Sequence, residues 1–427
     1  MSVVRRLPVV KDLTLVTAGA MTANVAGYLL QLLASRWLGV AGYSAFASLL
    51  AVQLLCAVPA LALQNVVARE VVRGAPVAAA RALTLRCAGL VAVAALVLVP
   101  VVSAVLKVGA LASAGALCAA PLLVLLSGEQ GILQGRSRFR ELAVVLGGAA
   151  IARVTPALVA LACGFGPAAA LWAGAAGTAL AALVARRVSD AAVSARTAST
   201  TSVEMAAAEQ EPADLSASVL DSAASGNGRA DSWGLGVGAV FRAVQVQAAL
   251  TALSAADLLV SRIVLDENDA GRYALGAIAA KIAFWLPQAV GVVLYPKMAH
   301  PQHSARAMRS ALAVLVGIGA VTVAGAAVAA PLAPMFAGRD YAPIEGLLWL
   351  FALEGALLAV LQVTLLSAIA ADRTAPAAIT WIGLGVGVAI MLTCAHSVLS
   401  LIVIATVTAA VTTLVITGVA WRAARDG

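Results

Sequence analysis

The sequence predicts an all-α membrane protein of about twelve transmembrane helices in two six-helix lobes, and three observations carry that fold class. Hydrophobic residues make up 62% of the 427 and charged residues only 11%, with a mean hydropathy of +0.99. A soluble surface needs far more charge than that. The apolar residues are gathered into about twelve stretches, each with room for the roughly 20 residues that cross a ~30 Å hydrocarbon layer. Finally, the second half of the chain repeats landmarks of the first.

The spans follow in order. The first, 12–35, stands behind Arg5, Arg6 and Lys11 and stays apolar to Leu33, longer than a signal-peptide core, so it reads as a retained helix. The second, 43–66, starts after Ala41-Gly42 and carries Pro59. The third, 82–105, lies between Arg81 and Lys107, and the fourth, 108–133, runs to the basic turn Arg136, Arg138, Arg140. The fifth, 141–163, contains Arg153, and the sixth, 166–186, stops at Arg186-Arg187. The seventh, 235–261, ends at Arg262. An acidic turn with Asp266, Glu267 and Asp269 precedes the eighth, 270–296. The last four are 309–330, 345–369, 375–394 and 398–420. The stretch 187–233 is rich in Ser, Ala and Thr, holds seven acidic residues, and is predicted to be a disordered cytoplasmic linker between lobes 1–186 and 234–427.

Orientation follows from the Lys and Arg residues. With the N-terminus inside, twenty of the 28 fall in cytoplasmic segments and five outside: Arg36, Lys107, Arg262, Arg272 and Arg339. That bias requires an even number of helices and places both termini and the linker in the cytoplasm. The net charge of +8 therefore reflects loops facing an anionic leaflet rather than nucleic acid.

Ser35-Arg36, Ala41-Gly42-Tyr43 and Pro59 recur as Ser261-Arg262, Ala270-Gly271-Arg272-Tyr273 and Pro287, at offsets of 226, 229 and 228 residues. Six helices per half makes this a parallel repeat about an axis along the membrane normal, an architecture that places a substrate cavity between lobes. Arg36 and Arg262 occupy equivalent outer helix ends, where contact with substrate and interfacial anchoring are equally open roles.

Polar residues inside the spans gather on faces. At about 100° per residue, Thr17, Asn24, Tyr28, Gln31 and Ser35 fall within about 60° on the first helix. Gln53 and Gln64 share a face of the second, and Ser127, Gln130 and Gln134 one of the fourth. On the seventh Arg242, Gln245 and Asp257 group together; on the eighth Lys281, Gln288 and Tyr295 recur every seven residues. Amides and charges avoid lipid, so these faces look toward other helices or a wet cavity. Interhelical hydrogen bonding explains an isolated Gln or Ser well. Charge joins the stripe on the seventh and eighth helices, which with the first favours a cavity lined by Lys281, Arg153, Arg242, Asn24, Gln31, Gln53 and Gln288. Asp257 and Glu354 are candidates for ion coupling, and Glu129 is the third anion at membrane depth.

Enzyme signals are lacking. The sequence has no GxxxxGK[ST] phosphate loop and no HExxH. The five cysteines stand 30 or more residues apart, offering neither metal spacing nor a disulfide framework. A non-enzyme with no cofactor and no metal is expected.

Several segments resemble the Wzx-like polysaccharide-biosynthesis flippases of the multidrug/oligosaccharidyl-lipid/polysaccharide (MOP) exporter superfamily. They are "LLASRWLGVAGYSAFASLL" with "LALQNVVARE", "GILQGRSRFRELAVV", "ADLLVSRIVLDENDAGRYALGAIAAKIAFWLPQAVGVVLYPKMA" and "FAGRDYAPIEGLLWLFAL". The sequence departs from the family's pattern at Val40, where Pro is common, and in its longer linker. The resemblance implies a MOP/MATE-like pair of lobes opening alternately to each side of a bacterial plasma membrane. It also implies export of a polyprenyl-(pyro)phosphate-linked oligosaccharide, with membrane lipids and glycosyltransferases or a polymerase of the same pathway as partners. A cation-coupled multidrug antiporter, a peptidoglycan-precursor flippase and a non-transporting scaffold for glycan assembly are the alternatives.

Overall fold

The computed structural model describes residues 6–208, 237–285, 304–370 and 375–423, and the regular elements among them are all helical. Helix α1 (Arg6–Cys56) holds the first span, a turn and part of the second. At Gly39 the backbone leaves the helix with φ 66° and ψ 178°, a left-handed φ that glycine reaches without a Cβ clash. This single step replaces the loop expected between residues 35 and 43. A second break falls at Ala57, because Pro59 lies in the first turn of α2 (Val58–Val72) and has no N–H to continue the ladder. The second crossing is therefore built from two helical pieces.

Helix α3 (Val77–Val105) starts earlier than its apolar run and so takes in Arg81. Helices α4 (Ala110–Gly135) and α5 (Phe139–Ala162) lie close to expectation. Helix α6 (Pro167–Ala208) runs on past the sixth span, so the first part of the stretch expected to be disordered, through Ala208, is helical. Its alanines favour helix, and the base of the extension is held to the lobe where Arg138 donates to the Ala192 carbonyl at 3.4 Å. The rest of the linker, 209–236, lies outside the described residues.

The second half contains α7 (Val237–Val264) and α8 (Glu267–Trp285). Then come α9 (Ser304–Ala329), the short α10 (Ala333–Ala337), a 3₁₀ stretch (Arg339–Leu347) and α11 (Leu348–Ala370). Helices α12 (Ala375–Cys394) and α13 (Val398–Ala423) close it. Among the described residues nine stretches are long and apolar enough to cross a membrane, the first of them Leu15–Val72 with its 58 residues. Counting that one twice for its turn at Gly39, and adding the apolar Ala378–Cys394 and the helix begun at Glu267, gives the twelve crossings expected. The chain is a multi-pass membrane protein. Leu90, Val93, Leu96 and Val97 on α3, and Val316, Val321 and Val328 on α9, are exposed and form the lipid face.

The repeat reappears in the packing. In the first lobe α1 packs on α5, α4 on α2, α3 and α6, and α5 on α6; in the second α7 packs on α12, α11 on α8, α9 and α13, and α12 on α13. Each pairing in one lobe has its counterpart in the other. The lobes meet through α1 with α8 and α2 with α7, two contacts that the repeat exchanges. Tyr43 and its counterpart Tyr273 are both fully buried. Pro287 lies outside the described residues.

Close helix approach rests on small residues, as is usual without a hydrophobic drive between helices. A Cβ at Gly131 would come within 2.7 Å of the Gln64 carbonyl oxygen, and one at Gly135 within 2.6 Å of that of Ala68, so α4 seats α2 through a glycine stripe. On this interface Gln64 donates to Gln134 at 3.1 Å: here the polar stripe of the fourth span is interhelical glue, not cavity lining. Glu129, at 7% exposure, takes both Nε (2.9 Å) and Nη2 (3.1 Å) of Arg81 and the Ser189 hydroxyl of α6. Arg81 also meets Asp190 at 2.7 Å. The third anion at membrane depth is thus spent on a clasp joining α3, α4 and α6.

The orientation inferred from the basic residues makes an expected result. A cysteine placed at Ser199, on the helical extension, should resist an impermeant thiol reagent in intact cells and react after lysis, with native Cys163 and Cys394 replaced beforehand. Reaction without lysis would invert the topology.

Candidate functional site

A cavity of about 210 Å³ lies between the lobes. From α1, before its turn, come Asn24, Gly27, Tyr28 and Gln31; from beyond the turn, Phe46, Leu50 and Gln53. Arg153 enters from α5, a smooth wall of Ala170, Leu171 and Gly174 from α6, and Lys281 with Trp285 from α8. Five of the seven residues proposed from sequence therefore converge: Lys281, Arg153, Asn24, Gln31 and Gln53. The side chain of Arg242 and all of Gln288 lie outside what the structure describes. Sequence reasoning passed over Trp285, although its i+4 spacing from Lys281 puts it on the same helix face, and the α6 wall, whose apolar residues carry no signal.

Local packing explains how two cations are held there. A Cβ at Gly177 of α6 would overlap the carbonyl of Ala152, so α6 lies directly against the backbone beside Arg153. Gly174, a turn away, faces Arg153 itself, with its hypothetical Cβ 3.8 Å from the Arg153 Cγ. On the other lobe, a Cβ at Gly355 of α11 would overlap the carbonyl of Ala280, the residue before Lys281. Each cation thus projects from backbone braced by a glycine contact on a neighbouring helix.

The electrostatics are one-sided. Arg153 makes no hydrogen bond or ion pair with the described residues. Among the described residues Lys281 Nζ donates only to Gln31 Oε1, at a long 3.4 Å, and its carbonyl accepts from the Tyr28 hydroxyl at 3.3 Å. Among the described residues no carboxylate lines the cavity. A charge at mid-membrane costs about 2.5–3.5 kcal/mol on insertion scales, and here two are carried without a full partner among the described residues. With their amide and phenol neighbours they present donors suited to phosphate oxygens and a rim suited to hydroxyls.

Asp257 and Glu354 do not line the cavity. Both are buried at 3% exposure among α7, α8 and α11, close enough to interact with one another, and Asp257 also lies within electrostatic range of Lys281. No ion pair within 4 Å ties Lys281 to either. Asp257 Oδ2 accepts from the Tyr273 hydroxyl at 2.7 Å, whereas Asp257 Oδ1 and Glu354 Oε2 have no partner. Orphaned buried carboxylate oxygens are costly, and a small cation or proton would satisfy them. No group of three or more His, Cys, Asp or Glu with metal-site geometry occurs among the described residues.

The fold is similar to that of solved transporters of the MOP superfamily. Lipid II flippase MurJ in an inward-closed conformation aligns with a TM-score of 0.69 over 94% of this chain and 86% of its own, at 9% identity. An inward-facing multidrug-resistance MATE family transporter gives 0.62 over 95% of each chain at 12% identity. A MATE transporter from Vibrio cholerae gives 0.59 over 98% and 97% at 15% identity. At these identities the likeness establishes the fold and leaves the substrate open. No protein-family model and no curated protein matches the chain.

Proposed function

We propose that the chain is a transporter that flips a polyprenyl-(pyro)phosphate-linked oligosaccharide across a bacterial plasma membrane, with no catalytic step of its own. The observation that carries this reading is the pairing of Lys281 with Arg153 in one interlobe cavity whose described lining includes no carboxylate. An anionic head group would neutralise both cations, Asn24, Gln31 and Gln53 would meet sugar hydroxyls, and the lipid tail would stay in the bilayer. The cavity is smaller than the roughly 300–1,000 Å³ of common ligand pockets, so a sugar-bearing head group requires the lobes to part, as alternating access provides. Asp257 and Glu354, with their unpartnered oxygens, are the natural seat for the H⁺ or Na⁺ that would drive it.

A multidrug antiporter on the same fold fits less well, since a cationic drug would meet two fixed cations. One structural neighbour is by name a flippase of lipid II, and a peptidoglycan precursor shares the head-group chemistry assigned here. Thermal stability of the purified protein with undecaprenyl diphosphate and, separately, with ethidium separates the readings. The expected outcome is a rise in Tm with the diphosphate and none with ethidium. Stabilisation by ethidium alone would transfer the chain to the drug class.

A further inference from the structure

We propose that Arg262 is the latch of the outer gate: a guanidinium of the second lobe that caps the end of α3 in the first lobe and must let go before the cavity can open away from the termini. Arg262 is only 6% exposed and spends its donors across the lobe boundary. Nε donates to the Leu106 carbonyl at 3.0 Å, Nη1 to the Ser44 hydroxyl at 3.1 Å, and Nη2 to the Lys107 carbonyl at 3.3 Å. Nη2 also pairs with Glu267 of its own lobe at 3.0 Å, and Glu267 is 65% exposed. One planar fork therefore binds two segments of the first lobe, with a carboxylate on its wet side.

The acceptors are suited to this. Leu106 is the C-cap of α3, where carbonyls lack intrahelical partners and the helix end carries partial negative charge. Lys107 stands at φ 52°, unusual for a residue with a side chain, and Ser103 fixes the turn by donating to the Val108 carbonyl at 2.7 Å. Around the latch the lobes are in close contact. A Cβ at Gly271 would overlap the Val40 carbonyl, and the Tyr341 hydroxyl donates to the Ser35 carbonyl at 3.3 Å. The repeat supplies a control. Arg36, the counterpart of Arg262, is exposed and makes no such contacts among the described residues, so a plain interfacial anchor accounts for it and not for Arg262. Charged hydrogen bonds suit a gate because water replaces them on opening, whereas a purely apolar seal would expose its core.

The proposal rests on the alternating-access reading, yet its test reads accessibility and needs no transported substrate. In a background with all five cysteines replaced, Leu50→Cys reports on the cavity through its reaction with an impermeant maleimide in intact spheroplasts. With Arg262 present the reaction should be slow. Arg262→Gln should raise its rate at least about tenfold, the worth of one charge-assisted hydrogen bond, whereas Arg36→Gln should leave it unchanged. Should Arg262→Gln fail to accumulate, Ser44→Ala and Glu267→Gln each remove one partner and should give smaller increases. Equal rates in parent and latch variants, or an equal rise with Arg36→Gln, would overturn the latch. Failure of undecaprenyl diphosphate to bind would remove the assigned substrate and leave this result standing.

Discussion

Lys281→Ala is expected to abolish export of the lipid-linked saccharide while the protein still inserts at normal levels. Lys281 stands on the wall that α8 presents to the cavity, and its only side-chain bond among the described residues is the 3.4 Å contact to Gln31. Little of the fold depends on its charge, whereas an anionic ligand would. Removing one charge-assisted contact to a phosphate should weaken binding of undecaprenyl diphosphate by roughly 10–100-fold, the equivalent of about 1.5–3 kcal/mol. Arg153→Ala should act in the same direction, and the double variant should bind more weakly than either single one. Lys281→Arg should retain part of the activity, since charge survives while its geometry changes. Normal export by Lys281→Ala would dissolve the site assignment and leave the flippase reading on resemblance alone.

Arg81→Ala is expected to give the largest loss of stability, without any role in the cavity. It would strand Glu129, whose carboxylate is paired on both oxygens inside the first lobe. Leaving one partner of a buried pair unmatched costs about 3–5 kcal/mol, and the 23% exposure of the Arg81 side chain places the effect at or below the lower end. The readouts are Tm in detergent and accumulation in the membrane. Adding Glu129→Gln should recover most of the loss, because a neutral amide needs no counter-charge. If the double variant is as unstable as Arg81→Ala, the damage comes from lost packing rather than a stranded charge.

Much of the site was legible because burying a polar group in lipid is expensive wherever it occurs. Asn24, Tyr28 and Gln31 fall on one face of the first helix, and that face lines the cavity. The same logic did not separate lining from glue. Gln64 and Gln134 satisfy each other between α2 and α4, and a spacing rule sees no difference between them and Gln31. Trp285 and the α6 wall escaped because cavity walls are built from the same apolar residues as lipid-facing surface.

The sequence by itself determined the membrane character, the number of crossings, the repeat and the identity of the intramembrane charges. Each of these depends on how single helices partition into a bilayer, where every backbone group must be satisfied within its own segment. Only the tertiary structure decided which charges are free. Arg36 and Arg262 are equivalent in the repeat, yet one is exposed while the other reaches Leu106 across the lobe boundary. Glu129 finds Arg81 48 residues away, and Arg153 finds no partner among the described residues. Whether a buried charge is spent or available is a matter of distances of a few ångströms between segments far apart in the chain, and packing sets those distances.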